Sequence, residues 1–258
     1  MTDATDHPTP RLPVLILIHG ATLNGHMWDP VRRHLDPRFR VIAPDLPGHG
    51  SRRDEVYTLQ GAVDTVVATA RSVQGEPIVL GGDSLGGFSC MASASALPAG
   101  QLKGLVLGGC TANLIGFKAL LSYRLRVALF KTLLALSSEE KLVAKSQVKV
   151  RKMLLEAGVL PEDMDAMAAA GLSIKVYAQA VHALSGVDFR AKLAAIAQPT
   201  LLVNGAKDPD MMAQEARFMA AAQQGRRHVF ENCEHGVSLH RSREFAALVN
   251  EFALRVAN

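Results

Sequence analysis

The strongest chemical signal in the chain is Gly82-Asp83-Ser84-Leu85-Gly86, with Gly87 directly after it. It follows the apolar run PIVLGGD at 77–83 and leads into FSCMASASAL, a stretch of small residues with helical character. Glycines two before and two after a serine suit a sharp strand-to-helix turn, where any side chain would strike the neighbouring strand or helix. Such a turn lifts the Ser84 hydroxyl into the open. A serine hydroxyl is a poor nucleophile at neutral pH, so it needs an imidazole to take its proton and a carboxylate to support the imidazolium. The bare pattern arises by chance often enough that its context must decide.

The elements able to hold such a turn are readable along the chain. Short apolar runs ending at or near glycine recur: VLILIHG at 14–20, RVIAP at 40–44, PIVLGGD at 77–83, LKGLVLGG at 102–109, PTLLVNG at 199–205 and RRHVFEN at 226–232. Runs rich in Val, Ile and Leu that do not alternate with polar residues fit strands covered on both faces. Helical patterns lie between them, at Leu59–Val73, Leu85–Ala96, Met211–Ala222 and Glu244–Val256. The alternation predicts an α/β fold: a doubly wound, mainly parallel sheet of about six strands, with ligands at the carboxyl ends. From Thr111 to Gln198 no convincing strand occurs. Helices are expected there at Leu114–Leu136, from the capping box Ser137-Ser138-Glu139-Glu140, after Pro161, and at Leu172–Leu184. The reading is a core of residues 1–112 and 191–258 with an inserted all-helical cap, 113–190, over the carboxyl edge of the sheet.

Three further motifs surround Ser84. His19-Gly20-Ala21 closes the first strand, with Trp28 beyond it, and Asp45-Leu46-Pro47-Gly48-His49-Gly50 follows the second. Asn204-Gly205-Ala206-Lys207-Asp208 ends the fifth, and Asn232-Cys233-Glu234-His235 follows the sixth, with Phe245 ten residues on. On these residues the chain resembles the α/β-hydrolase superfamily from Val14 to its end, the insertion apart. The resemblance implies a catalytic triad in the order Ser84, Asp208, His235, with an oxyanion hole from the backbone N–H groups of Ala21 and Leu85. His235 would serve as general base and Asp208 would orient it. No cofactor and no metal are implied. Many members open with a β-hairpin; here thirteen residues with three prolines precede Val14, so that hairpin is expected to be absent.

Several residues carry competing readings. Asp210 stands two places after Asp208 and reads better as a helix-start residue, and His240 lies beyond the loop that carries His235. Asp83 does not match the aspartyl nucleophiles of dehalogenases and epoxide hydrolases, which stand at the serine's own place. It could perturb the pocket or pair with a buried donor. His19, Asp45 and His49 read as loop-shaping residues, while His26 and Trp28 follow the expected oxyanion loop and read either as pocket-lining or, for Trp28, as core, with no role assigned to either. Tyr123 and Tyr177 are read either as pocket-lining or as packing within the insertion, and the methionines of the helical patterns as packing residues.

Composition sets outer limits. The chain has 258 residues, 48% hydrophobic and 20% charged, enough apolar material for one large core and too little charge for a disordered polymer. No apolar run reaches the roughly 18 residues of a membrane helix. The N-terminal MTDATDHPTPRLP carries acids and prolines where a secretory signal is basic and apolar, and a cytoplasmic protein is expected. Cys90, Cys110 and Cys233 lack metal-ligand spacing and fit reduced, buried thiols. The net charge of +4 divides unevenly, +7 between Asn113 and Lys152 and −3 elsewhere. That basic stretch reads either as a solvated face or as a surface for an anionic carrier. Without interleaved aromatics it does not suggest nucleic-acid binding.

The leading functional expectation is a serine hydrolase acting on small-molecule acyl esters through an acyl-enzyme. The alternative is an esterase or thioesterase for acyl groups on carrier proteins or coenzyme A. In length and cap placement the chain resembles the pimeloyl-carrier methyl ester esterases. Lactonase, carbon–carbon hydrolase and perhydrolase reactions use the same three side chains, and a non-catalytic binding protein would be expected to lack one of them.

Overall fold

A computed structural model of the protein describes residues 12–116, 121, 125, 127–129, 132 and 151–257. Each apolar run named above forms a strand: β1 (Val14–Ile18), β2 (Val41–Ile42), β3 (Ile78–Asp83), β4 (Leu102–Gly108), β5 (Thr200–Gly205) and β6 (Gly225–Phe230). They make one six-stranded sheet in the order β2-β1-β3-β4-β5-β6, and all five neighbouring pairs are parallel. Residues 12 and 13 carry no strand, and the expected absence of a preceding hairpin falls on residues outside those described.

The strand pattern follows from burial on both faces. Leu15, Leu17, Val79, Val106, Leu201 and Val203 point to one side, against Trp28 and the helix Ser242–Ala257. Ile16, Ile18, Leu80, Leu105, Leu107 and Leu202 point to the other, with Ala62, Val66 and Ala70 of the helix Leu59–Ser72. Alternate side chains of the central strands therefore enter different apolar layers, so that β1 is apolar throughout, whereas Arg226 and Arg227 of the edge strand β6 stay exposed. Helices Leu85–Ser93 and Pro209–Ala221 cover the connections after β3 and β5, close to the expected bounds.

Between β4 and β5 the described residues hold no strand and form the helices Pro161–Ala170, Val176–Leu184 and Phe189–Ala194. Pro161 opens its helix, where a missing N–H costs nothing. The helix expected from Leu172 starts instead at Val176, because Gly171 terminates the preceding helix with φ of 96°. Leu114 and Ile115 are not helical. Most of the remaining expectation for Leu114–Leu136, and the helix expected from Ser137, lie outside the described residues, as does Tyr123. Among the described residues no helix is long and apolar enough to cross a membrane.

Parallel pairing puts the carboxyl ends of all the strands at one edge. The chain leaves β1 toward β2 on one side, while β3 pairs on its other side. The crevice of this sheet thus opens between the loops after β1 and β3, the usual position of a ligand site in such folds.

Candidate active site

Ser84 stands where β3 turns into the helix Leu85–Ser93, with φ of 55° and ψ of −116°. Among the described residues only Thr22, with φ of 68°, shares a positive φ without being glycine. Such backbone is unfavourable for a residue with a side chain and persists only where its surroundings impose it. The imposition is visible in the glycines. A Cβ on Gly82 would meet the backbone of Gly86 and Gly87, one on Gly86 would overlap the carbonyl of Ile18, and one on Gly87 would strike the Cys110 side chain. The Ser84 N–H donates to Gly108 O at 2.8 Å, which continues the β3–β4 ladder through the turn.

The loops after β5 and β6 bring two further side chains to this serine. His235 Nε2 lies 2.8 Å from Ser84 Oγ, and His235 Nδ1 lies 2.6 Å from Asp208 Oδ2. Asp208 is buried and is also the N-cap of the helix Pro209–Ala221, its Oδ1 accepting the Met211 N–H at 3.3 Å. One carboxylate therefore starts a helix with one oxygen and holds an imidazole with the other. Burial works against a charge on His235. The Asp208 hydrogen bond and the negative charges of Asp83, Asp208 and Asp210 outweigh it, so the imidazole titrates above its ordinary value.

Beside these groups is a cavity of about 270 Å³ that Ser84, His235, Asp208, Ala21 and Leu85 all line. Leu85 opens its helix, so its N–H has no partner within the helix and is free to face a ligand. The far wall is apolar: Phe88, Ala112 and Leu114 from the core side, and Tyr177, Ala180, Val181 and Leu184 from the helix Val176–Leu184. Of the two readings of Tyr177, lining the pocket is the one seen, while Ala180, Val181 and Leu184 of the same helix were not singled out from sequence. Asp210, read from sequence as a helix-start residue, does lie in the first turn of its helix and in addition lines the cavity, as does Met211.

The remaining candidates are placed as follows. Asp83 is fully buried, and its Oδ2 accepts both the N–H of Ser238, at 3.0 Å, and the Ser238 hydroxyl. Of its two readings, pairing with a buried donor is the one seen. His19 is buried, with Nδ1 donating to Gly20 O at 2.9 Å and Nε2 accepting the Leu46 N–H at 3.0 Å. Burial pushes its pKa down to about 3. Asp45 accepts the backbone N–H groups of Gly25 and Ser51, and His49 Nδ1 donates to Pro47 O. These three fasten the loops after β1 and β2. Trp28 is in the core against Phe245, and His26 pairs with Asp29 at the surface. His240 ends the short helix Val237–His240, and the hydrogen bond to Ser84 is made by His235. The three cysteines are buried and free, and among the described residues no His, Cys, Asp or Glu cluster is arranged to hold a metal ion.

The loop after β1, which carries Ala21, has its own anchor. Asn24 is buried, its Nδ2 donating to Met167 O at 2.8 Å and Gly171 O at 3.1 Å while its Oδ1 accepts the His26 N–H. The Ser173 N–H donates to Thr22 O at 3.1 Å. Arg33 makes a two-pronged pair with buried Asp163, at 2.6 and 2.9 Å. The segment 161–173 is thereby tied to the loop that carries Ala21.

Comparison with known proteins agrees with this architecture. Residues 15–248 match the model of the alpha/beta hydrolase family. A pimeloyl-[acyl-carrier protein] methyl ester esterase of Nitrosospira multiformis is 28% identical over 264 aligned positions, covering 93% of this chain and 94% of its own length. A protein of the same name from Xanthomonas oryzae pv. oryzae is 36% identical over 103 residues, and that match spans only 39% of the relative's length. Among solved structures, MenH from S. aureus has a TM-score of 0.75 at 20% identity, with 95% of each chain covered. A thermophilic esterase from Thermogutta terrifontis has 0.72 at 21%, covering 97% of this chain and 92% of that one. At such identities the structural likeness is one of fold. A single parallel sheet with its serine turn after β3, and a sequence match running from residue 15 to 248, mean that the chain belongs to the alpha/beta hydrolase family.

Proposed function

We propose that the protein is a serine esterase in which Ser84 is the nucleophile, His235 the general base and Asp208 its supporting acid, with Ala21 and Leu85 as oxyanion donors. The observation that carries the reading is the continuous relay of 2.8 and 2.6 Å from Ser84 through His235 to Asp208 at the mouth of an apolar cavity. As Ser84 Oγ attacks the acyl carbon, its proton passes to His235 Nε2, and the Asp208 carboxylate steadies the imidazolium through Nδ1–H. The N–H groups of Leu85 and Ala21 meet the charge that develops on the carbonyl oxygen. Collapse of the adduct expels the alcohol, which takes the proton from His235 and leaves Ser84 acylated. Water then gives a proton to His235 and attacks the acyl carbon. Release of the acid returns the proton to Ser84.

The apolar wall fits the acyl chain of a small or medium ester, and residues 113–190 are read as the cap that supplies part of it. A second reading, an esterase for acyl groups on a carrier protein, is favoured by the match to the Nitrosospira relative across nearly the whole chain. The basic stretch between Asn113 and Lys152 would meet the carrier's acidic surface.

Labelling with a fluorophosphonate, followed by mass mapping, tests the shared chemistry. Label is expected on Ser84, absent in Ser84→Ala and slowed at least a hundredfold in His235→Ala. Label elsewhere, or none on folded protein, removes the proposal. Turnover of p-nitrophenyl butyrate and of an acylated carrier, each with rising salt, then separates the two substrates, since only the carrier reaction is expected to weaken.

A further inference from the structure

Asp83 is placed more exactingly than packing requires. It is 1% exposed, directly precedes Ser84, and its Oδ1 is buried with no hydrogen-bond partner among the described residues. A buried carboxylate oxygen left without a donor is unfavourable and calls for an explanation. Its Oδ2, by contrast, is doubly held by the N–H and hydroxyl of Ser238. Ser238 lies three residues after His235, so one short segment delivers both the imidazole and the clamp on this carboxylate.

The free oxygen faces the histidine. The position that a Cβ on Gly109 would occupy is 3.2 Å from Asp83 Oδ1, 3.3 Å from His235 Cε1 and 3.5 Å from His235 Nδ1. Gly109 has φ of 54°, and its missing side chain leaves carboxylate and imidazole facing each other across a bare backbone. The other charged groups around His235 are Asp208 and Asp210 at the end of β5, His240 from the turn Val237–His240, and its chain neighbour Glu234. Asp208 bonds the ring at Nδ1, and His240 would oppose its charge. Asp83 is fixed in the interior, where its field is poorly screened.

We propose that Asp83 is a positioning residue for the esterase reaction, a second carboxylate that supports the charge on His235 through space while Asp208 supports it through a hydrogen bond. The proposal rests on His235 being the general base, as set out above. With Asp83 ionised the imidazolium is stabilised, the base is stronger, and the proton is taken from Ser84 more readily. Removing the charge lowers the pKa of His235, so the acid limb of kcat/KM moves to lower pH while the plateau falls.

The test is Asp83→Asn, an isosteric change whose amide oxygen can still accept from Ser238. Two readouts are taken from wild type and variant: the pH profile of p-nitrophenyl butyrate hydrolysis, and the NMR titration of the His235 Cε1–H resonance, assigned by its loss in His235→Gln. The midpoint is expected to fall by about 0.5–1 pH unit, with kcat at pH 7 about three- to tenfold lower and KM within about twofold. A midpoint within about 0.1 unit of wild type overturns the proposal. Should Asp83→Asn not fold, Ser238→Ala decides instead. Loss of the hydroxyl donor loosens the hold on the carboxylate beside the ring and is expected to move the His235 midpoint, and an unmoved midpoint overturns the proposal. The NMR titration needs no substrate, so failure of the esterase reading, seen as absent labelling of wild type, is distinguishable from failure of the role given to Asp83.

Discussion

At the scale of single residues, the site is a set of side chains each doing two things. Asp208 caps a helix and holds an imidazole, and Ser84 closes a strand and starts a helix in strained backbone. The proposed base should therefore be tuned by its acids, and the direction follows from charge. His235 is held above its ordinary value, so activity needing the neutral ring should rise with pH through that elevated midpoint. Asp208→Asn should move the acid limb to lower pH and reduce kcat/KM roughly a thousandfold, measured on p-nitrophenyl butyrate from pH 5 to 9. A larger loss in Asp210→Asn would transfer the role to that residue, which also lines the cavity. Ser84 was readable from its glycine spacing, and Asp208 and His235 from motifs at strand ends. The pairing of Asp83 was not, because its partner Ser238 is 155 positions away and no local pattern links the two.

At the scale of elements, the turn after β3 is set by steric contact. The helix Leu85–Ser93 approaches β1 so closely that a methyl group on Gly86 would overlap the Ile18 carbonyl, a backbone atom that cannot swing aside. Gly86→Ala is thus expected to destabilise the fold by about 3 kcal/mol or more, because relief requires moving a strand or a helix. Urea unfolding of purified protein measures it, and a loss below about 1 kcal/mol would show that the turn relaxes easily. The strands and the four core helices named from sequence were legible to within a few residues, since apolar runs ending in glycine set the first and apolar periodicity the second, whereas Phe189–Ala194 was not expected. The late start of Val176–Leu184 was not, since Gly171 ends the preceding helix and its carbonyl is taken by Asn24, far away in sequence.

At the scale of the whole molecule, buried imidazoles couple stability to pH. His19 is pushed down to about 3 and His49 is also lowered, both chiefly by burial, so the folded protein keeps them neutral where an unfolded chain would protonate them. The unfolded state then binds more protons below pH of about 6.5, and stability falls as pH drops below that value. His235 acts in the opposite sense, its contribution being present below the unfolded pKa and lost as pH rises through its elevated folded value. With His240 also lowered, three lowered histidines outweigh one raised, at about 1.4 kcal/mol per pH unit for each fully neutral ring. The melting temperature followed by circular dichroism should fall from pH 7.5 to 5.5, with a shallower slope in His19→Gln. A melting temperature that holds steady or climbs over this range would contradict the account.

The sequence by itself determined the strand-and-helix alternation, the both-face burial of the sheet and the turn at Ser84, because each depends on residue types close together in the chain. Periodicity, glycine and the strand-end motifs are local, and local patterns survive without coordinates. Tertiary structure decided what stands around that serine: which helix walls the cavity, that Asp210 joins its lining, that Asn24 ties the segment 161–173 to the loop of Ala21, and that Ser238 clamps Asp83. Those arrangements arise where parallel strands deliver distant loops to one edge of a sheet, and only the packed fold fixes which side chains then meet.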